Sequence, residues 1–233
     1  VCIKRKIKTI TYGKPDADWS ILKVEKKTYD NIVYIKNKKS VYSFISPIFA
    51  KYQLENILCS IIIAKKYGIT LKNILKNLQS IPSPPGRLKK IINHKAKSNI
   101  FIDYAHTPIA LEKSLLELKN IKSKNGKLMI LFGCGGDRDK GKRRLMAKVA
   151  KKYADIVFIT DDNPRFEDAS NIRKELIEHC KGAKNIANRK NAILKAINQM
   201  HTEDILLIAG KGHEKYQEIK GRKFFFDDTK IAK

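Results

Sequence analysis

Asp155-Ile-Val-Phe-Ile-Thr160, followed by Asp161-Asp162-Asn163-Pro164-Arg165, is the stretch on which the reading of this chain turns. The apolar run reads as a buried strand. Ligands of open α/β sheets bind just beyond the carboxyl ends of strands. Here that place holds carboxylates, an amide and a guanidinium. Together they suit a zwitterion, with acidic groups for its ammonium ends and Arg165 bidentate on a carboxylate. Asn-Pro also opens ordinary polar turns, so the segment alone leaves both readings open.

The surroundings repeat the pattern. From residue 87 onward, strand-like and helix-like segments alternate. The strands are Asn99–Ile102, Leu128–Phe132, Ile156–Ile159 and Ile205–Ile208, with helices expected near Pro108–Leu118, Arg144–Tyr153, Asn171–Cys180 and Ala192–Met200. Thr107 before Pro108 combines an N-cap with proline at the first helical position. Apolar strands joined by helical crossovers predict a mostly parallel sheet covered on both faces. A final short strand, Lys223–Phe226, is expected at an edge.

All four strands end in unusual chemistry. The first runs into Asp103-Tyr104-Ala105-His106-Thr107-Pro108. The second runs into Gly133-Cys134-Gly135-Gly136-Asp137-Arg138, the third into the segment quoted above, and the fourth into Ala209-Gly210-Lys211-Gly212-His213-Glu214. Parallel strands place these turns along one sheet edge, where they can converge. Gly133, Gly135 and Gly136 would let the backbone approach a ligand closely. The spacing is not a dinucleotide fingerprint. His106 suits an acid/base role, an anion contact or a structural cap, and Asp103 suits a hydroxyl such as that of a ribose. No Ser or Cys occupies a nucleophile elbow, so no covalent catalytic residue is identified.

Residues 1–45 alternate short β-rich runs (Lys8–Tyr12, Ile21–Val24, Asn31–Ile35, Val41–Phe44) with turns. Residues 51–66 read as a helix with Leu54, Ile57, Leu58, Ile61 and Ile62 on one face, and Leu71–Leu78 as a second helix after Thr70. Ile81-Pro-Ser-Pro-Pro-Gly86 then breaks regular structure, and the domain boundary is placed there. The opening Val1-Cys2-Ile3-Lys4 has no initiator Met and suggests the later part of a longer protein.

The 233 residues carry a formal net charge of +26, from 40 Lys and 9 Arg against 23 acidic residues. The lysines are spread along the chain rather than gathered into a stripe, and no aromatic–basic interleaving accompanies them, so nucleic acid is not an expected partner. Arg87, Arg138, Arg143, Arg165 and Arg189 instead fall in or beside turns, where a planar fork is useful. Cys2, Cys59, Cys134 and Cys180 show no metal-ligand spacing, and Cys134, in a glycine turn, is expected to be the more exposed. With no long apolar span, the expectation is a cytoplasmic monomer without a membrane partner.

In this order, the strand-end motifs resemble the C-terminal half of the Mur ligases, of the type that adds diaminopimelate. Gly86-Arg87 resembles that family's G-R-M-E. Asp103 to Pro108 resembles its D-Y-A-H-T-P, and Phe132 to Arg143 its F-G-C-G-G-D-R-D-x-G-K-R. Asp162 to Arg165 matches its diaminopimelate-recognition motif, and Ala209 to Glu214 its A-G-K-G-H-E. The resemblance covers 86–233 and extends weakly through 1–85. It implies a Rossmann-like α/β C-terminal domain over 86–233, preceded over 1–85 by the tail of an α/β ATPase central domain.

The implied reaction is ATP- and Mg2+-dependent addition of meso-diaminopimelate to UDP-MurNAc-L-Ala-D-Glu through an acyl phosphate, a step of peptidoglycan precursor synthesis. By motif match, Arg138, Asp162, Asn163, Pro164, Arg165, Gly210 and Glu214 would hold diaminopimelate, with Glu214 and the Asn163 carbonyl on its distal ammonium. Arg87, Asp103, His106 and Asn56 would touch the nucleotide. Lysine-adding relatives lack the motif arginine, so Arg165 points to diaminopimelate. The alternatives are a lysine-adding ligase and a non-catalytic diaminopimelate-binding domain.

The chain also departs from the family. Lys89 stands where the family has glutamate after G-R-x, Phe166 where it has a small polar residue, and the G-x-F-N-x-x-N helix motif keeps only Asn56. No G-x-x-G-K-[ST] phosphate loop occurs in the 233 residues, and the family's magnesium ligands and carbamylated lysine are missing. No metal site is therefore expected, and these residues alone are expected not to form the amide.

Overall fold

The computed structural model describes residues 7–26, 31–48, 50–92 and 99–233. The opening Val1-Cys2-Ile3-Lys4 lies outside them. Contacts divide the chain into two compact units, Val1–Ser83 and Pro84–Lys233.

The first unit contains an antiparallel meander of β1 (Trp19–Lys26), β2 (Asn31–Asn37) and β3 (Ser40–Ser46). Two helices follow, α1 (Lys51–Lys66) and α2 (Leu71–Leu78). The β2–β3 hairpin turns at Lys38, whose φ is 54°. In β2, Val33 and Ile35 face inward and meet Leu54, Leu58, Ile61 and Ile62 of α1. These four belong to the face expected of that helix, and Ile57 packs at its margin. Thr70 caps α2 by accepting from the Asn73 amide. Lys8–Tyr12 is not a strand. Tyr12 makes one isolated bridge to Trp19, and the Asp18 carboxylate instead ties down the Thr11 amide and hydroxyl at 2.8 and 3.0 Å.

The second unit is built on a six-stranded sheet. Its strands are β4 (Lys89–Ile92), β5 (Asn99–Asp103), β6 (Leu128–Phe132), β7 (Ile156–Ile159), β8 (Lys184–Asn185) and β9 (Ile205–Ala209), in the order β4-β5-β9-β6-β7-β8. Only β4, at one edge, runs antiparallel. The helices are α3 (Pro108–Ile121), α4 (Gly141–Tyr153), α5 (Ala169–His179), α6 (Arg189–Asn198) and α7 (Asp228–Ala232). β6 and β9 are buried along their whole length, as strands covered on both faces must be. Ile100, Ile102, Met129, Leu131, Leu206 and Ile208 form one core with Ala192, Ile193 and Ala196 of α6. The alternating residues between them face the other way. The expected fold class, α/β with a mostly parallel sheet, is what this unit has.

Two differences have physical causes. Helices α4, α5 and α6 begin two or three residues earlier than expected. For α5 and α6, the first turn is built by polar caps, Asp168 and Asn188, and the apolar period starts only after it. The expected edge strand Lys223–Phe226 is instead β11 (Arg222–Phe225), which pairs with β10 (Tyr216–Ile219) in a separate two-stranded ribbon. Its burial is low throughout, so nothing draws it onto the main sheet.

Candidate functional site

Strands β5, β9, β6 and β7 lie side by side and run in one direction, so their carboxyl ends form one rim. A cavity of about 360 Å³ opens on that rim. Every one of the four turns contributes to its lining. Tyr104 and His106 follow β5, while Gly135, Arg138 and Lys142 follow β6. Asp162, Asn163 and Arg165 follow β7, and Gly210, Glu214 and Tyr216 follow β9.

Glycines hold the turns against each other. A Cβ on Gly136 would lie 1.9 Å from the Pro164 carbonyl oxygen. At Gly136 the expected close approach is thus made by the neighbouring turn, while Gly135 lines the cavity. Gly210, at φ +110°, would place a Cβ 2.7 Å from Asp162 Oδ2. Two buried arginines brace the same turns from below. Arg143 bonds both oxygens of Glu175 and also reaches Glu167 at 2.8 Å and the Gly135 carbonyl at 3.3 Å. Arg189 clasps Asp228 and the Ala209 carbonyl. Both forks are therefore used inside the protein.

Asn163 is the hub of the polar wall. Its Oδ1 accepts from Lys211 Nζ at 2.7 Å and from the Glu218 amide at 3.0 Å. Two donors on one oxygen fix which end of the amide is which. Nδ2 then donates to Glu214 Oε2 at 3.2 Å, and the Tyr104 hydroxyl reaches Glu214 Oε1 at 3.5 Å. The expectation that the Asn163 carbonyl would face an ammonium is corrected. Both acceptor positions on Oδ1 are occupied, and the backbone oxygen accepts from Gly136. Asn163 orients Glu214 instead.

Arg165 sits in the left-handed region at φ 53°, which costs a non-glycine residue of order 1–3 kcal/mol. The turn is held there by backbone bonds from the Arg165 amide to the Glu218 carbonyl and from the Lys220 amide to the Arg165 carbonyl. Its Nε pairs with Glu218 at 3.1 Å and Nη1 donates to the Gly136 carbonyl at 2.9 Å, while Nη2 makes no hydrogen bond among the described residues. Arg138 is exposed at the cavity wall. Asp162 is buried and paired with Lys211 at 3.1 Å. Burial pulls the Lys211 ammonium below its ordinary range, against the upward draw of Asp162.

Of the other expected site residues, His106 lines this cavity and the rest do not. Pro164 is buried and does not line the cavity; it carries the turn past Gly136. Asp161 pairs with Arg173. Asp103 is 3 % exposed, and its carboxylate accepts from the Ser114 hydroxyl and from the Tyr104 amide at 2.7 Å. Burial raises its carboxyl above the usual range. Arg87 stacks its guanidinium 4.9 Å from the Tyr104 ring. His106 lines the cavity with Nδ1 2.9 Å from the Tyr104 carbonyl oxygen. Asn56 is exposed on α1 of the first unit. Cys134 is buried, with its thiol pushed up to about 12, which corrects the expected exposure. Tyr104, Lys142, Tyr216 and Lys211 are additions. Lys142 and Lys211 stood inside the glycine-bearing motifs, where a lysine has reason to be more than surface filler.

Among the described residues no group of three or more His, Cys, Asp or Glu side chains is placed to hold a metal ion. No helix of those residues is long and apolar enough to cross a membrane.

Comparison with known proteins adds a relationship to this geometry. The family described as "Mur ligase, glutamate ligase domain" matches residues 86–212. A UDP-N-acetylmuramoyl-L-alanyl-D-glutamate–2,6-diaminopimelate ligase of Rickettsia rickettsii is 44% identical over 230 residues, which is 97% of this chain and 47% of the relative. Its counterpart in Anaplasma marginale is 39% identical over 221 residues, 94% of this chain and 45% of the relative. The chain thus spans about half the length of the curated relatives it matches. A solved structure of such a ligase superimposes with a TM-score of 0.66 at 34% identity, over 96% of this chain and 46% of that one. Folylpolyglutamate synthase of Mycobacterium tuberculosis, solved with ADP and AMPPCP, shares the fold at 17% identity. Its TM-score is 0.67, over 84% of this chain and 46% of that one.

Proposed function

The chain belongs to the Mur ligase family, and on that premise we propose that its second unit holds meso-diaminopimelate for ATP-dependent ligation to UDP-MurNAc-L-Ala-D-Glu by the whole protein. One observation carries the reading. A single cavity is lined by Glu214, an acceptor for ammonium, together with Arg138 and Arg165, two donors for carboxylate.

Each role follows from the wiring. Glu214, oriented by Asn163 and Tyr104, takes the distal ammonium. Arg165, with Nη2 unengaged, and Arg138 take carboxylate. Lysine has one carboxylate fewer, so these guanidiniums favour diaminopimelate. Gly210 keeps its place in the wall because a side chain there would strike Asp162. Asp162 acts through Lys211, and Pro164 through the shape of its turn.

Relatives of the fold solved with ADP and AMPPCP support ATP as the nucleotide. Arg87 and His106 are assigned to it from the β5 side. Asp103 holds the loop that carries Tyr104. In the reaction, the glutamate carboxylate attacks the γ-phosphorus, and the bond to ADP breaks. The diaminopimelate amine then attacks the acyl carbon, phosphate leaves, and the nitrogen loses a proton. This chain's share is positioning. Its 233 residues contain no G-x-x-G-K-[ST] loop, and no step is assigned here to magnesium.

Calorimetric titration of the chain with meso-diaminopimelate, with L-lysine and the Arg165→Ala variant as controls, tests the proposal. Saturable binding of diaminopimelate, weakened by the substitution and weaker for lysine, supports it. Equal binding of the two amino acids would favour a lysine-adding relative, and no binding would remove the reading.

A further inference from the structure

Lys211 is fully buried, and it lies behind Asp162 and Asn163, two residues that line the cavity the proposed function assigns to diaminopimelate. Its Nζ has three acceptors, Asn163 Oδ1 at 2.7 Å, the Tyr216 carbonyl at 2.8 Å and Asp162 Oδ1 at 3.1 Å. An ammonium has three hydrogens and a neutral amine only two. Three acceptors that donate nothing in return therefore call for the charged form.

The consequence concerns Asp162. Asp162 lines the cavity, as Glu214 does. Left to itself it would be a second acceptor for ammonium. Lys211 cancels that charge from behind. Among the described residues, the cavity then presents one carboxylate without a paired cation, Glu214, with Arg138, Lys142 and the open edge of Arg165. A ligand carrying two ammonium groups and one carboxylate fits this balance poorly, and one with a second carboxylate fits it well.

We infer that Lys211 is a specificity-determining positioning residue, which by neutralising Asp162 makes the pocket select a dicarboxylic diamino acid over a monocarboxylic one. The inference rests on the reading of the cavity as an amino-acid site. It also gives Lys211 a second duty, since the same ammonium fixes Asn163, and Asn163 orients Glu214.

The test is calorimetric titration of the unsubstituted chain, Lys211→Met, Asp162→Asn and the Lys211→Met/Asp162→Asn double variant with meso-diaminopimelate and with L-lysine. Thermal melts check that each variant is folded. In Lys211→Met the uncancelled Asp162 should repel the second carboxylate and attract the cation. The ratio of diaminopimelate to lysine affinity should fall by about tenfold or more. Removing both charges should recover most of that ratio, even at lower affinity for both ligands. A purely structural lysine would lower the two affinities together, and an unchanged ratio in Lys211→Met would overturn the inference. If Lys211→Met fails to fold, Asp162→Asn against the double variant decides. The uncancelled Lys211 ammonium should raise the ratio in Asp162→Asn above that of the double variant, and equal ratios would contradict the inference. If the unsubstituted chain binds neither amino acid, the site reading falls and the inference with it. That result is distinct from a normal affinity with an unmoved ratio.

Discussion

The Arg189 guanidinium, wholly buried, clasps both carboxylate oxygens of Asp228 at 2.9 and 2.7 Å and uses the same Nη2 to hold the Ala209 carbonyl at 3.0 Å. That pair joins α6, α7 and the last residue of β9 directly under Gly210. Breaking one side would leave a bare charge in the interior, at a cost of about 3 kcal/mol or more. Asp228→Ala should lower the denaturation midpoint accordingly, while Arg189→Met/Asp228→Ala should recover part of the loss. A single variant as stable as the parent would show that the clasp is not structural.

Cys134 lies in a glycine turn but under Met146, its thiol 3.7 Å from the thioether. With ionisation pushed to about 12 by burial, it should resist alkylation by iodoacetamide at pH 8 in the folded chain. Mass-spectrometric mapping should find label at this residue only after denaturation. Labelling of the native chain at the rate of a free thiol would contradict the buried placement.

Asp103 gives a pH signature. Burial raises its carboxyl, against the pull of Ser114, nearby backbone amides and Arg87. The folded chain therefore holds this proton to higher pH than the unfolded chain does. Its contribution to stability is complete at low pH and is lost as pH rises from about 4, the unfolded value, through the raised folded value. Asp103→Asn does not titrate. The stability of the parent minus that of the variant should therefore fall across this window in denaturant titrations, and a difference that grows with pH would have the wrong sign.

Glu214 is the only cavity carboxylate that no cationic side chain pairs with among the described residues. Glu214→Gln keeps the shape and the bonds to Asn163 and Tyr104 within reach but removes the charge. A charge-assisted hydrogen bond is worth roughly 1.5–3 kcal/mol, so diaminopimelate affinity should drop by about tenfold to a hundredfold, read by calorimetry. Unchanged affinity would place the ammonium elsewhere.

Strands β5, β6, β7 and β9 were legible because each is a short apolar run bounded by polar turns, and the convergence of the four turns follows from parallel pairing; β4 (Lys-Lys-Ile-Ile) and β8 (Lys-Asn) carry no such run and were not legible. Helix starts were less legible because Asp168 and Asn188 build the first turn from polar residues that carry no apolar period. The detached ribbon of β10 and β11 was not legible, since Lys223-Phe-Phe-Phe226 has the composition of a strand but nothing in it names a partner. Within the site, the charged side chains could be named from their turns. The inward use of Arg143, Arg189 and the Asn163 carbonyl could not, because it depends on acidic and amide partners 20 or more residues away: Glu167 and Glu175, Asp228, and Lys211 with Glu218.

The central claim is that one cavity at the strand ends grips both poles of a dicarboxylic diamino acid. A crystal structure of the chain with meso-diaminopimelate tests it most directly. The account predicts an ammonium on Glu214 and a carboxylate shared by Arg138 and the Nη2 edge of Arg165, with the Lys211–Asp162 pair intact behind them. A ligand bound with these poles reversed, or bound outside this cavity, would contradict it.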